Sequence, residues 1–211
     1  MSFYSVSDSE FQRRYREEFE MVLSGIDCVL HQEQVIYCSS ELTSGSALYD
    51  AMSTNGVRTA GELKELLGSD RYTSTIWDRN VSEAIAFAEE VRTRFHDRTI
   101  VITPAPFSAP GWSQPEYLYF WETLLRTRVK SVWFNRNWEY SNGCTFEFAV
   151  ALDAGLQTFD RTGRPLHRDE ALAMVRTALK DLDQRGFDTG KLRENFHRMH
   201  ADRRTPEYTP V

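Results

Sequence analysis

Short apolar runs alternating with helical periodicities constrain this chain more than any other feature. Gln34-Val-Ile-Tyr-Cys38, Thr99-Ile-Val-Ile-Thr-Pro104, Lys130-Ser-Val-Trp-Phe134 and Gln157-Thr-Phe-Asp160 are short, β-branched or aromatic, and bounded by polar or turn-forming residues. Such runs read as strands buried on both faces. Between them, helical spacing falls over 46–53, 60–67, 79–95, 115–127 and 143–154, the third carrying Val81, Ala84, Ile85, Ala88 and Val91. Gly155 stands where a left-handed residue closes the last of these. Parallel neighbours need a crossover long enough to hold a helix, so the alternation predicts an α/β fold. The expected form is doubly wound, flavodoxin- or Rossmann-like, with a parallel sheet of about five strands.

Helical patterns also flank this unit. Phe11, Tyr15, Phe19, Val22 and Leu23 predict a helix over 9–24; Ala171, Leu172, Val175, Leu179 and Leu182 predict one over 168–185, with a shorter helix near 188–199. The expected organisation is a helical extension over 1–33, an α/β domain over 34–160 and a second helical extension over 161–211. A length of 211 residues suits one core, and no repeat or composition break divides it.

Charge and composition narrow the partners. A net charge of −6 and a pI near 5.4 argue against a chain whose work is to neutralise a nucleic-acid backbone. No apolar run approaches the roughly 18 to 20 residues that span a bilayer, and the opening residues do not read as a secretory leader, so no membrane partner is expected. Cys28, Cys38 and Cys144 show no CxxC spacing, which argues against a disulfide framework or zinc knuckle and fits a cytoplasmic location. His197 and His200 are close in sequence, but no third ligand stands near them. Neither a metal nor a cofactor is expected, and a small-molecule substrate is favoured.

In open parallel sheets, ligands bind beyond the carboxyl ends of the strands, and three loops qualify. The first, Ser39 to Ser46, is rich in hydroxyls. The second, Pro104 to Pro115, carries Phe107 and Trp112, which could stack on a planar base. The third, Asn137 to Gly155, holds the most information. Ser141 is a good N-cap, Gly143 allows close approach to the first helical turn, and Glu147 follows one turn later amid Phe146, Phe148 and Ala149. A carboxylate on an apolar helix face is costly unless it is paired, bonded or used. The helix N-terminus favours its ionised form while burial opposes it. Tyr37, Trp112 and Trp138 are candidate stacking platforms.

The strand Val35-Ile-Tyr-Cys-Ser-Ser40, the helix opening near Asn80, the strand ending Ile-Thr-Pro104-Ala and the run Trp138-Glu-x-Ser141-x-Gly143-x-x-x-Glu147-x-x-x-Ala151 resemble the nucleoside 2-deoxyribosyltransferase-like superfamily. That group also includes nucleoside 5′-monophosphate N-glycosidases. The similarity covers roughly 34–160, and the Ser-x-Gly-x-x-x-Glu helix start is its most specific element. The resemblance implies that Glu147 attacks C1′ of a sugar, that Ser141 and Gly143 face the sugar or phosphate, and that Tyr37, Ser39 and Ser40 lie on the loop contacting a nucleoside. It also implies a second acid on the preceding helix, for which Glu122 is the candidate, and a homo-oligomer. Val129-Lys130 stands where the family has Ala-Asp, and Cys144 replaces a residue that is often threonine or alanine. Two carboxylates about 5 Å apart suffice for a retaining glycosidic displacement. The expected activity is therefore cleavage or transfer at an N-glycosidic bond. A nucleotide-sensing module without turnover and an NAD-type glycohydrolase are the alternatives.

Overall fold

The computed structural model describes residues 19–26, 28, 34–95 and 99–201. Four parallel strands run in the order β2-β1-β3-β4: β1 (Gln34–Ser39) lies between β2 (Thr99–Ile102) and β3 (Ser131–Phe134), and β4 (Gln157–Asp160) pairs with β3. The α/β, doubly wound reading holds, with four strands rather than five. Each strand is one of the four apolar runs of the sequence. After β4 the chain goes on into helices instead of adding a further strand among the described residues.

Helices α1 (Ser46–Thr54), α2 (Ala60–Leu67), α3 (Ser69–Tyr72) and α4 (Arg79–Arg92) connect β1 to β2. α5 (Gln114–Thr127) connects β2 to β3, α6 (Asn142–Asp153) connects β3 to β4, and α7 (Arg168–Gln184) and α8 (Gly190–His200) follow. Local chemistry fixes several starts. Thr59 and Glu62 form a capping box before α2, Ser113 and Glu116 form another before α5, and Pro115 occupies the first turn of α5, where its missing N–H costs nothing.

Period-2 alternation along β1 sorts its side chains onto two faces. Ile36 and Cys38 pack with Phe87, Ala88 and Val91 of α4, together with Val101 and Trp133. Val35 and Tyr37 face the larger cluster, which contains Phe120 and Leu124 of α5 and Phe148 and Val150 of α6. Leu172, Val175, Leu179 and Leu182 of α7 and Leu192 and Met199 of α8 belong to that same cluster, so the C-terminal helices complete the core of the sheet domain. Phe87, Phe120 and Phe148 are wholly buried, and truncating any of them to Ala is expected to cost about 3 to 5 kcal/mol.

Residues 19–26 are helical, with Phe19 buried edge-on against Trp112; the part of the expected N-terminal helix before residue 19 lies outside the described residues. The segment Ser69–Asp78, which sequence periodicity leaves unassigned, is helical throughout: α3 runs into a π-helical turn, Thr73–Asp78, and then into α4. Its Ser, Thr and Asp residues favour caps and turns over helix interiors, and only Ile76 of the π turn is buried. No helix among the described residues is long and apolar enough to cross a membrane.

Candidate active site

The strand order places a switch point at β1. The chain leaves it to build β2 on one side and β3 on the other, and it is beyond the carboxyl ends of strands at such a point that open parallel sheets hold their ligands. The loop after β1 and the N-terminus of α6 meet there. Ser141 caps α6, accepting from the Cys144 N–H at 3.3 Å. Ser44, from the β1 loop, accepts from the Asn142 N–H at 3.1 Å and lies 3.5 Å from the Ser141 hydroxyl, which ties the loop to the helix. At Gly143 an added Cβ would meet only the Ser141 hydroxyl, at 3.8 Å, and the backbone is not in a left-handed conformation. The local fold therefore does not itself demand glycine there.

One turn into α6, Glu147 points at β1. The Tyr37 hydroxyl donates to Oε1 at 2.6 Å and the Ser39 hydroxyl to Oε2 at 2.5 Å. Residues 37 and 39 share a face of β1, which is why one carboxylate can receive both. Glu147 is only 6% exposed, and no cation pairs with it among the described residues. Burial pushes its carboxyl up to about 7, against the pull of the two hydroxyl bonds. Burial likewise pushes Tyr37 and Cys144 well above their ordinary values, with the Glu147 charge adding to both, so each stays protonated.

Two further acids converge on the same strand ends. Glu41, in the β1 loop, accepts from the Ser46 N–H at 2.8 Å and from the Ser46 hydroxyl at 3.1 Å, and burial pushes it up to about 7 despite these bonds. Gly45 adopts φ +139°, and a Cβ on it would collide with the Glu41 carboxyl. Asn137, after β3, is left-handed at φ 58° and donates to the Ser46 hydroxyl at 3.1 Å. Glu139 is raised by burial, and its Oε2 has no hydrogen-bond partner among the described residues.

Beside this cluster, α5, α6, α8 and residues 43–44 enclose a cleft of about 970 Å³. Thr43, Ser44, Asn142 and Gly143 line one end of it, with Lys191, Glu194 and Asn195 of α8 also in the wall. Asn195 donates to the Asn142 carbonyl at 2.9 Å and to the Thr145 hydroxyl at 3.0 Å, which fixes α8 against the first turn of α6. Glu147 is not part of the lining: it sits one turn inside Gly143 with its carboxylate turned to β1.

The remaining residues singled out from the sequence occupy different surroundings. Glu122 lines the cleft, but it accepts from Arg126 at 2.8 Å and Arg198 at 3.1 Å, and both arginines also reach Asp153. It is a member of a four-residue ion cluster, with no hydrogen bond to the Glu147 constellation. Trp138 is 2% exposed, stacked on Phe148 at 4.9 Å and tilted against Phe134, so its ring is filled by core on the side where a base would stack. Trp112 belongs to an aromatic group with Phe19, Phe107, Tyr117 and Phe120 and does not line the cleft. Tyr37 is fully buried and serves Glu147 through its hydroxyl, not its ring face. Ser40 is buried, with its hydroxyl unpartnered among the described residues. Ser39, Ser141 and Gly143 do meet around the start of α6.

Sequence reasoning passed over Glu41, Glu139 and Asn195. The available signal for Glu41 was a glutamate four residues before a glycine in a strand-to-helix loop, which is faint. His197 lines the cleft, and no group of metal-ligating side chains exists among the described residues; His31 and His96 lie outside them. Comparison with protein-family models, with curated proteins and with solved structures finds no match for this chain.

Proposed function

We propose that the protein cleaves or transfers the N-glycosidic bond of a nucleoside or nucleotide, with Glu147 as the nucleophile. One observation carries this reading: a buried carboxylate at the switch point is oriented through both oxygens by neutral hydroxyls, with no cation bound to it among the described residues. An arginine partner would neutralise such a group, whereas two hydroxyl donors aim it and leave its charge available. In the proposed reaction a Glu147 oxygen bonds to C1′ as the base departs, and the glycosyl group then passes to water or to a second base. A substrate would approach Glu147 from the part of the cleft lined by Thr43, Ser44 and Gly143.

A second reading, a nucleotide-binding module without turnover, draws on the position of Glu147 behind the cleft lining. Incubating the protein with nucleosides, nucleotides and NAD and following free base separates the readings. Base release by the wild type and none by Glu147→Ala is the expected result, and exchange of one base for another would mark a transferase. Binding without release supports the module, and release of nicotinamide alone supports an NAD-type glycohydrolase.

A further inference from the structure

The cleft beside Glu147 is walled by matching stripes of α5 and α6. Gln114, Leu118 and Glu122 follow at helical spacing on α5, and Gly143, Phe146 and Asp153 on α6, so each wall runs from a polar start through an apolar middle to a charged end. At that end Glu122 is bonded through one oxygen only. Arg126 donates to it through Nε at 3.0 Å and Nη2 at 2.8 Å, Arg198 donates through Nη2 at 3.1 Å, and all three bonds end on Oε1. Oε2 accepts no hydrogen bond among the described residues, and the side chain is 28% exposed. We propose that Glu122 reads the base, its Oε2 accepting a hydrogen bond from the lactam N–H of a nucleobase such as hypoxanthine or guanine. The inference rests on the N-glycosidic reading above and assigns the far end of the cleft to the base.

The dimensions agree with this placement. Glu147 and Asp153 stand six residues apart on α6, which corresponds to about 9 Å of helix rise. Arg126 and Arg198 each bond both Asp153 and Glu122, so Glu122 lies at the Asp153 level. The separation matches the reach of a purine and one hydrogen bond from a sugar whose C1′ sits at Glu147. Leu118 and Phe146 line the cleft between these levels and offer apolar faces to a ring. The Arg198 guanidinium lies over the Phe146 ring, 5.1 Å from its centroid, so the apolar wall runs directly into the charged end.

An ion cluster kept only for stability is the competing explanation. An arginine that pairs with a carboxylate most favourably spreads its fork over both oxygens. Arg126 instead puts two nitrogens on Oε1, and Arg198 adds a third to the same atom. The cluster thereby fixes the carboxylate and leaves one oxygen for a donor from outside. A carboxylate only accepts, so it selects an N–H and repels a bare ring nitrogen or a carbonyl. A lactam N–H is a more acidic donor than an exocyclic amine and makes the stronger bond to an anion.

The test is a ratio of affinities, measured by calorimetry on the full chain carrying Glu147→Gln, so that no turnover is needed. Inosine 5′-monophosphate carries the lactam N–H; purine riboside 5′-monophosphate lacks the lactam and has a bare ring nitrogen in its place. The first is expected to bind about 30-fold more tightly, the worth of one hydrogen bond to a charged group. Adding Glu122→Ala should bring the two affinities to within about threefold of each other, and Glu122→Gln, which keeps the length without the charge, should fall between. Because each ratio is taken within one protein, a loosened ion cluster weakens both ligands and leaves the ratio alone. Asp153→Asn disturbs the same two arginines and should keep the parent's ratio. Equal affinities before Glu122 is changed, a ratio that survives Glu122→Ala, a ratio lost as fully in Asp153→Asn, or binding of neither nucleotide overturns the assignment. The N-glycosidic reading fails separately: if the wild type releases no base while the ratio holds, Glu122 reads a base that the protein binds without cleaving.

Discussion

Around Glu147 and Glu41, negative charge is held by hydroxyls and a backbone N–H; across the cleft, around Glu122 and Asp153, it is held by Arg126 and Arg198. The two regions share α6, which carries both Glu147 and Asp153, yet their carboxylates are satisfied differently. An arginine cluster satisfies its carboxylates with opposite charge and joins α5, α6 and α8, and pairs of this partly exposed kind contribute about 1 kcal/mol or less apiece. Neutral donors in a buried pocket leave the carboxylate's desolvation largely uncompensated, which is why Glu147 and Glu41 both titrate near 7. The first arrangement offsets burial with opposite charge; the second leaves it opposed chiefly by hydrogen bonds.

The sharpest way to break this contrast is Glu147→Gln. Base release should fall by about 1,000-fold or more, as for loss of any covalent nucleophile. The same substitution should alter how stability depends on pH. Below the usual glutamate value of 4.5, folded and unfolded chains are both protonated; between 4.5 and about 7 the unfolded chain releases a proton that the folded one keeps. Stability contributed by this group is thus present at low pH and lost as pH rises through about 7, the difference amounting to about 3 kcal/mol. Urea unfolding at pH 5 and pH 8 should show that loss in the wild type to be larger than in Glu147→Gln by roughly this amount.

Gly45→Ala should be the next largest effect. The residue would meet both an unfavourable φ and the Glu41 carboxyl, at a cost of about 2 kcal/mol measured by chemical denaturation. Ser39→Ala removes one donor from ionised Glu147, so the acid limb of the rate profile should move to higher pH by about one unit. A shift to lower pH would show that the hydroxyl does not stabilise the anion. The smallest effect should come from Arg198→Ala, which still leaves Arg126 with Glu122 and Asp153. It is expected to cost about 1 kcal/mol, partly masked in high salt, while the acid limb of the rate profile stays put.

Much of this was legible in the sequence because it is local. The four strands announce themselves as β-branched runs, Ser141 behaves as the N-cap its identity predicts, and Glu147 stood out as a carboxylate among Phe146, Phe148 and Ala149. A fifth strand was a matter of fold habit, not of any residue run, and it is absent among the described residues. The helix through Thr73–Asp78 is hidden in the sequence because its residues favour turns and only Ile76 is buried, so no apolar period marks it. Which acids keep company with Glu147 depends on contacts between distant segments. Of the two arginines that hold Glu122, Arg126 is one helical turn away, but Arg198 is 76 residues away, and the glycine that makes room for Glu41 carries its φ in no pattern of letters. Aromatic residues misled for the same reason: Trp138 looks like a stacking platform in a polar loop, and only the fold shows Phe134 and Phe148 against it.

The central claim is that the Glu147 carboxylate becomes covalently joined to a sugar. The most direct measurement is to trap that ester with a nucleoside bearing fluorine at C2′, which slows its hydrolysis, and to locate the added mass by peptide mass spectrometry. The account predicts a glycosyl adduct on Glu147, absent in Glu147→Gln. A protein that releases base yet carries no adduct, or carries it on another residue, would contradict it.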